Sequence, residues 1–303
     1  MLALLRRLAA RTYRFVTISP ASHARVLARK PGALAADLRD VLGWSLPFRP
    51  GSVDVEVEAL LQEAGCLRRE GELARATVRV SSIGEQLFLH SAYPTDSPDA
   101  VFFGPDSYRF AAAARDELAE NPLLGGVHIV DVGAGAGVGG IVTALAEPSA
   151  RVTLTDVNPL ALRYARINAA AAGVEVETIE GDSLADVADP IDLAIANPPY
   201  IIDDLGRAYR DGGDLHGGAV SLEMARMAVA RLAPGGRLLL YTGAAIIEGD
   251  NPLARALEEL AAQQGLVFAC RETDPDVFGE ELENPAYRDA DRLAVILATF
   301  QRR

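Results

Sequence analysis

The chain is poor in several residues that usually mark a class of protein. It has two cysteines in 303 residues, Cys66 and Cys270. Two thiols so far apart make neither a disulfide framework nor a zinc site, and they fit a reducing, cytoplasmic setting. Lys30 is the only lysine, every other basic residue being arginine, a bias that speaks of GC-rich coding more than of function. No apolar run approaches the roughly 20 residues that span a bilayer, so no membrane partner is expected. The opening MLALLRRLAARTYRFV mixes arginine with leucine and alanine. It reads as an amphipathic docking helix, because a secretory signal needs a longer apolar stretch and a small-residue cleavage site. His23, His90, His128 and His216 show no metal-ligand spacing, and no metal is expected.

What is plentiful is acid, and it is unevenly spread. Residues 1–100 carry 13 Arg/Lys against 11 Asp/Glu, a net of +2, whereas residues 101–303 carry 16 against 31, a net of −15. Affinity for nucleic acid comes largely from cations that neutralise phosphates, so the acidic part disfavours such a partner and favours a protein substrate. Half of the residues are hydrophobic, enough for a sizeable core. Oligomeric state is not legible.

From residue 127 apolar runs alternate with helical patterns. VHIVDVG, RVTLTDVN, VEVETIEGD, IDLAIAN and RLLLYTG read as strands, followed by LVFACRE and RLAVILATF. Between them lie GIVTALAE, PLALRYARINAAAAG (Pro159 at the first turn, Gly173 at the stop), SLEMARMAVARLAPGG (closed by Pro234 and Gly235) and NPLARALEELAAQQG. Strands alternating with helices of this length predict an α/β fold, a Rossmann-like, doubly wound, mostly parallel sheet of seven strands with helices on both faces. The first hundred residues differ. Segments 20–42 and 54–69 look helical, and 77–90 looks like two strands around Gly84, a smaller α+β layout akin to a winged helix. The turn formers of YPTDSPD place a seam between Ser91 and Val101, giving domains of about 1–95, for lid or substrate recognition, and 96–303.

Four stretches carry chemistry. DVGAGAGVGG (131–140) joins a strand to a helix, and its glycines let backbone approach a ligand while helix N–H groups point at it. Gly135, Gly137 and Gly140 satisfy G-x-G-x-x-G, so a dinucleotide reading stands beside any other. Asp156 tips the next strand, where a carboxylate accepts ribose hydroxyls; Asn158 after it is placed to cap the Pro159 helix and to face the same ligand. Gly181-Asp182-Ser183 follows the third strand, and Asn197-Pro198-Pro199-Tyr200 follows the fourth. Two prolines cannot donate to a ladder, so that strand must stop there.

Asp131, Gly133, Ala134, Gly135 and Gly137 resemble the first motif of class I S-adenosylmethionine-dependent methyltransferases. With Asn-Pro-Pro-Tyr after the fourth strand, residues 100–300 resemble the HemK-type protein-glutamine methyltransferases and the adenine-N6 methyltransferases that share this motif. The resemblance implies S-adenosylmethionine as cofactor, with Asp156 on the ribose and Asp182, with Ser183, facing the adenine. It implies that Asn197 and the Pro198 carbonyl accept hydrogen bonds from a planar NH₂, raising its lone pair towards the methyl, while Tyr200 stacks on the substrate. VFFGPDSYRF (101–110) lies where the family packs a segment over the cofactor, making Phe103, Tyr108 and Arg109 candidates; YRDGGDLHGGA (209–219) is a Gly/Asp-rich loop of the kind the glutamine enzymes have. Asp203 and Asp204 form a solvated loop edge or an acidic pocket rim, and His216 lies in the following loop. A hairpin within residues 1–100 departs from the purely helical domain of release-factor enzymes, leaving protein glutamine, a nucleic-acid adenine or a small-molecule amine as substrates.

A nicotinamide oxidoreductase leaves Asn-Pro-Pro-Tyr without a purpose, and a non-catalytic binding module has no need of Asn197. Titration calorimetry is therefore expected to show binding of S-adenosylhomocysteine and none of NADH; the reverse result excludes the methyltransferase reading.

Overall fold

The computed structural model describes residues 1–123, 125–203, 207 and 209–303. Its first part comprises α1 (Leu2–Ala10), α2 (Pro20–Ala28), α3 (Leu38–Leu42), α4 (Val55–Glu63) and two antiparallel hairpins, β1 (Leu67–Glu70) with β2 (Leu73–Ala76) and β3 (Val78–Ile83) with β4 (Gln86–Ser91). The helical reading of 20–42 and 54–69 was too long. Pro31 and Gly32 (φ +71°) break the first, and Gly65 (φ +66°) ends the second before β1 begins.

The rest runs α5 (Pro105–Glu120), β5 (His128–Val132), α6 (Val138–Ala146), β6 (Arg151–Asp156), α7 (Pro159–Ala172), β7 (Glu177–Glu180), β8 (Ile191–Ala196), α8 (Ala219–Val229), β9 (Leu232–Ile246), α9 (Pro252–Gln264), β10 (Val267–Asp274) and β11 (Arg292–Gln301). The seven strands stand in the order β10-β11-β9-β8-β5-β6-β7, with β9-β8-β5-β6-β7 parallel and β11 antiparallel to both neighbours. This is the expected doubly wound, mostly parallel α/β sheet.

Local chemistry explains the boundaries. Asn158 caps α7 by accepting from the Leu160 amide, Pro159 takes the first turn, and Gly173 ends the helix at φ +75°. Helix α8 stops at Val229, earlier than Pro234 and Gly235 suggested. Its exit is set instead by Arg231, which bonds Asp189 and the Leu184 and Val187 carbonyls, and Leu232 then pairs with Ile191.

Two apolar cores flank the sheet. One lies beneath α8 and α9, around Ala225, Val229, Leu253 and Leu257. The other lies beneath α5, α6 and α7 and continues without a break into Leu4, Phe15, Phe48, Val80 and Phe88 of the first ninety residues. Helix α1 buries Leu4, Leu5 and Leu8 as it packs on α4 and α7. The β3–β4 hairpin is buried along nearly its whole length, so it is no exposed wing for nucleic acid.

Asn168 of α7 is the polar pin of that contact. Its Oδ1 accepts from the Leu89 amide at 2.8 Å, and its Nδ2 donates to the carbonyls of Leu89 (3.1 Å) and Ala136 (2.9 Å). One buried amide thus satisfies the outer edge of β4 and steadies the glycine-rich loop. Removing it orphans buried backbone groups worth about 1–3 kcal/mol each. Asn168→Ala is expected to lower the unfolding free energy by roughly 2–4 kcal/mol in a urea titration.

Candidate active site

Strands β5 and β8 are parallel neighbours, with Asp131 opposite Ile195 and Val132 opposite Ala196. The next residues, Gly133 and Asn197, therefore leave the sheet side by side although 64 positions apart in sequence. Their loops, with those after β6 and β7, wall a cavity of about 400 Å³ over the carboxyl ends of the strands. That volume suits a cofactor or small-molecule site, and open α/β sheets bind ligands at this edge.

The loop conformation depends on glycine. Gly133, Gly135 and Gly137 have φ of +71°, +55° and +80°, and a Cβ at Gly137 would stand 2.9 Å from that of Ala165. Gly140 packs so closely on Leu154 that a Cβ would approach it to 2.1 Å, which explains the fourth glycine as helix–strand packing. Asp131 lies beneath the loop, not in the cavity wall. Its Oδ2 accepts from the Gly140 amide at 2.7 Å, and its buried Oδ1 has no hydrogen-bond partner among the described residues. Burial pushes its carboxyl up to about 7.

Asp156 is preset by backbone: Oδ2 accepts from the Gly135 amide and Oδ1 from the Asn158 amide, each at 2.8 Å. Burial raises its carboxyl above the ordinary range. Asp156, Asn158, Asp182 and Ser183 all line the cavity, as do Gly133, Ala134 and Gly135. Asn158 also spends its side chain on the helix cap and on the Asp99 carbonyl.

Asn197, Pro198, Pro199 and Tyr200 line the opposite wall. The Tyr200 ring packs against β9, where a Cβ on Gly243 would stand 2.1 Å from it. Its hydroxyl donates to Asp106 at 2.6 Å. The adjoining loop folds back through Gly212 and Gly217, whose missing side chains admit the Tyr200 backbone.

Several expected contacts fall elsewhere. Phe103 and Tyr108 do not line the cavity. Phe103 stacks on His90 at 4.9 Å and meets Tyr108 edge-on at 5.3 Å, and the Tyr108 hydroxyl accepts from the Thr17 amide, all within the packing against the first ninety residues. Phe102 faces the cavity instead, stacked with Tyr209 at 5.8 Å. Asp203 is neither a solvated edge nor a rim: it is buried between Arg207 and Arg210, which hold its carboxyl below the usual range. Asp204 lies outside the described residues. Arg109 is half-exposed and bridges Asp106 and Asp274, whereas His216 pairs with the exposed Asp289. Pro20, Phe102, Asp106, Met224 and Met227 line the site without having been singled out. Only Asp106 carried a signal, a carboxylate just after Gly-Pro at a helix start.

Comparison with known proteins gives the family. The methyltransferase small domain profile matches residues 116–261. The release factor glutamine methyltransferase of Cereibacter sphaeroides is 32% identical over 229 residues, 70% of this chain and 79% of that protein. Its counterpart from Bordetella pertussis is 30% identical over 74% of this chain and 81% of that protein. The chain is a HemK-type class I methyltransferase. The match to the enzyme of that name from Deinococcus radiodurans is shorter, 40% identical over 127 residues and 44% of that protein's length. Ribosomal RNA small subunit methyltransferase C of Hahella chejuensis is 36% identical over 124 residues, 36% of its length. Among solved structures, Trm5b from Pyrococcus abyssi shares the fold at a TM-score of 0.51 and 20% identity, covering 78% of this chain and 62% of that one. The fold is that of the S-adenosylmethionine-dependent class I enzymes, and the residues lining the cavity fit such a group: a glycine cradle and, at Asp156, a carboxylate pre-set by backbone amides.

Between about pH 4 and 7 folded Asp131 holds a proton that the unfolded chain has lost, so its contribution to stability falls as pH rises through that window, by at most about 1.4 kcal/mol per unit. Asp131→Asn abolishes this pH dependence. Denaturant titration of the ligand-free protein is expected to show the variant gaining roughly 2 kcal/mol on wild type between pH 5 and pH 8.

Proposed function

We infer that this methyltransferase acts on a planar nitrogen, and that a protein glutamine side chain is its substrate. The observation that carries the reading is the meeting of Asn-Pro-Pro-Tyr and the glycine-rich loop across one cavity. The cofactor supplies an electrophilic methyl on a sulfonium. Asp156 would accept from its ribose hydroxyls, Asp182 with Ser183 would border its adenine, and the loop from Gly133 to Gly137 would wrap its amino-acid end. Asn197 and the Pro198 carbonyl accept from the two N–H bonds of the target amide. They hold it in line with the methyl and oppose its conjugation, leaving a lone pair to attack. The prolines keep that carbonyl aimed with few conformations to lose. The nucleophile is neutral, so no strong base is required, and its proton leaves to water after transfer.

Two findings favour a protein over nucleic acid. The matches that span most of a relative's length are to release factor glutamine methyltransferases, while the ribosomal RNA enzyme matches over about a third of its own. Residues 101–303 carry a net charge of −15, which repels a phosphate backbone. Among the described residues no helix is long and apolar enough to cross a membrane, and a cytoplasmic site of action fits a release factor substrate.

Tritiated S-adenosylmethionine incubated with a purified bacterial release factor and, separately, with small-subunit ribosomal RNA separates the classes. Label on a glutamine of the protein is expected; label on the RNA alone overturns the substrate. Asn197→Ala should bind S-adenosylhomocysteine within about threefold of wild type and lose roughly 100-fold or more in kcat, since a misplaced nucleophile costs that much.

A further inference from the structure

Asp106 sits at the second position of α5, 4% exposed, at the back of the cavity. It accepts two tyrosine hydroxyls: Tyr200 on Oδ2 at 2.6 Å and Tyr241 of β9 on Oδ1 at 2.9 Å. Arg109, one turn on, reaches the same carboxylate at 3.4 Å and Asp274 at 2.9 Å. The location suits an anion, because the first turn of a helix offers unpaired N–H groups and positive potential. Nothing in the site's recognised motifs accounts for a buried carboxylate tying three elements together.

The geometry points to Asp106 as the positioning residue of the Asn-Pro-Pro-Tyr motif, acting through Tyr200; this rests on the reading of that motif as the holder of the target nitrogen. Tyr200 is the last residue of the motif and is gripped on two sides. Gly243 leaves the bed for its ring, and Asp106 fixes its hydroxyl. Helix α5 in turn packs on α6, the helix that grows out of the glycine-rich loop; Phe110 stands 2.5 Å from where a Gly139 Cβ would be. Asp106 thereby links the wall that presents the nitrogen to the wall that presents the methyl. In-line transfer needs the two atoms within about 3 Å, and an error near 1 Å costs on the order of 100-fold in rate. Loss of the tie should therefore fall on kcat and spare the affinity for cofactor.

The test compares Asp106→Ala, Asp106→Asn, Tyr200→Phe and the Asp106→Ala/Tyr200→Phe double variant, each checked for folding by thermal melt. Transfer to the release factor gives kcat, and calorimetry gives Kd for S-adenosylhomocysteine. Asp106→Ala and Tyr200→Phe should each lose at least about tenfold in kcat with Kd within threefold, and the double variant should lose no more than the worse single. Asn keeps one acceptor and offers a donor to the other tyrosine, so it should recover most of the loss. Unchanged kcat in Asp106→Ala, multiplying losses in the double variant, or Asn no better than Ala overturns the inference. Gly243→Ala, which displaces the ring without touching Asp106, should copy the kcat loss; if Asp106→Ala fails to fold, this variant and Tyr200→Phe decide. Should wild type label neither protein nor RNA, the parent reading fails instead. Hydrogen exchange at residues 197–201 then judges the tie: faster exchange in Asp106→Ala supports it, and no change overturns it.

Discussion

The hydrogen-bonded adjacency of β5 and β8 is what the rest of this site depends on. A parallel pair at the centre of a doubly wound sheet releases both chains at the same edge, and the Val132–Ala196 register makes them leave level with each other. From there, glycine conformation turns one chain into a cradle and two prolines turn the other into a stiff wall. A slip of one residue would send Asn197 to the opposite face of the sheet, because side chains alternate with a period of two. Large apolar side chains on both faces, Ile129 and Ile195 on one and Val130 and Leu238 on the other, hold that register.

The acidic character of residues 101–303 acquires meaning once burial is known. Asp106 and Asp156 line the cavity, and Asp131 lies just beneath it, where burial favours its protonated form. Asp131 and Asp156 lean on backbone N–H groups and Asp106 on tyrosine hydroxyls, with the half-exposed Arg109 beside Asp106 at 3.4 Å. Such an arrangement leaves the site's potential negative, which suits a cationic sulfonium and its ammonium group and disfavours phosphate. The first ninety residues show the inverse pattern. Arg79 is buried with no carboxylate on it among the described residues, donating to the Gly43 carbonyl and Thr17 and lying over Phe15, and burial lowers its guanidinium to about 10. Beside it His23 and His90 are held neutral, their imidazoles pushed below the ordinary range first by burial and then by the Arg79 charge.

This first part is continuous with the methyltransferase core. Its hairpin edge is finished by Asn168, the same amide that braces Ala136 in the glycine-rich loop, and Pro20 reaches the cavity wall. The hairpin was visible in the alternation of residues 77–90, but its burial against α7 was not, since a strand covered on both faces differs from an exposed one only in what packs on it. The β1–β2 hairpin is illegible for a different reason: Arg68, Arg69 and Glu70 give a polar run with no apolar alternation to mark a strand.

By itself the sequence determined the seven strands, the helices between them and the placing of Gly133, Asp156, Asp182 and Asn197 at strand ends, because period, proline and glycine act locally along the chain. It determined the reaction class, methyl transfer. Tertiary structure alone decided which aromatic of Phe102 and Phe103 faces the cavity, since neighbours on a chain point opposite ways and only packing selects one. It buried Asp203 between two arginines and joined Asp106 to Tyr200 across 94 residues. No local signal predicts such a bond: its partners are chosen by where α5 and β8 come to rest on the sheet.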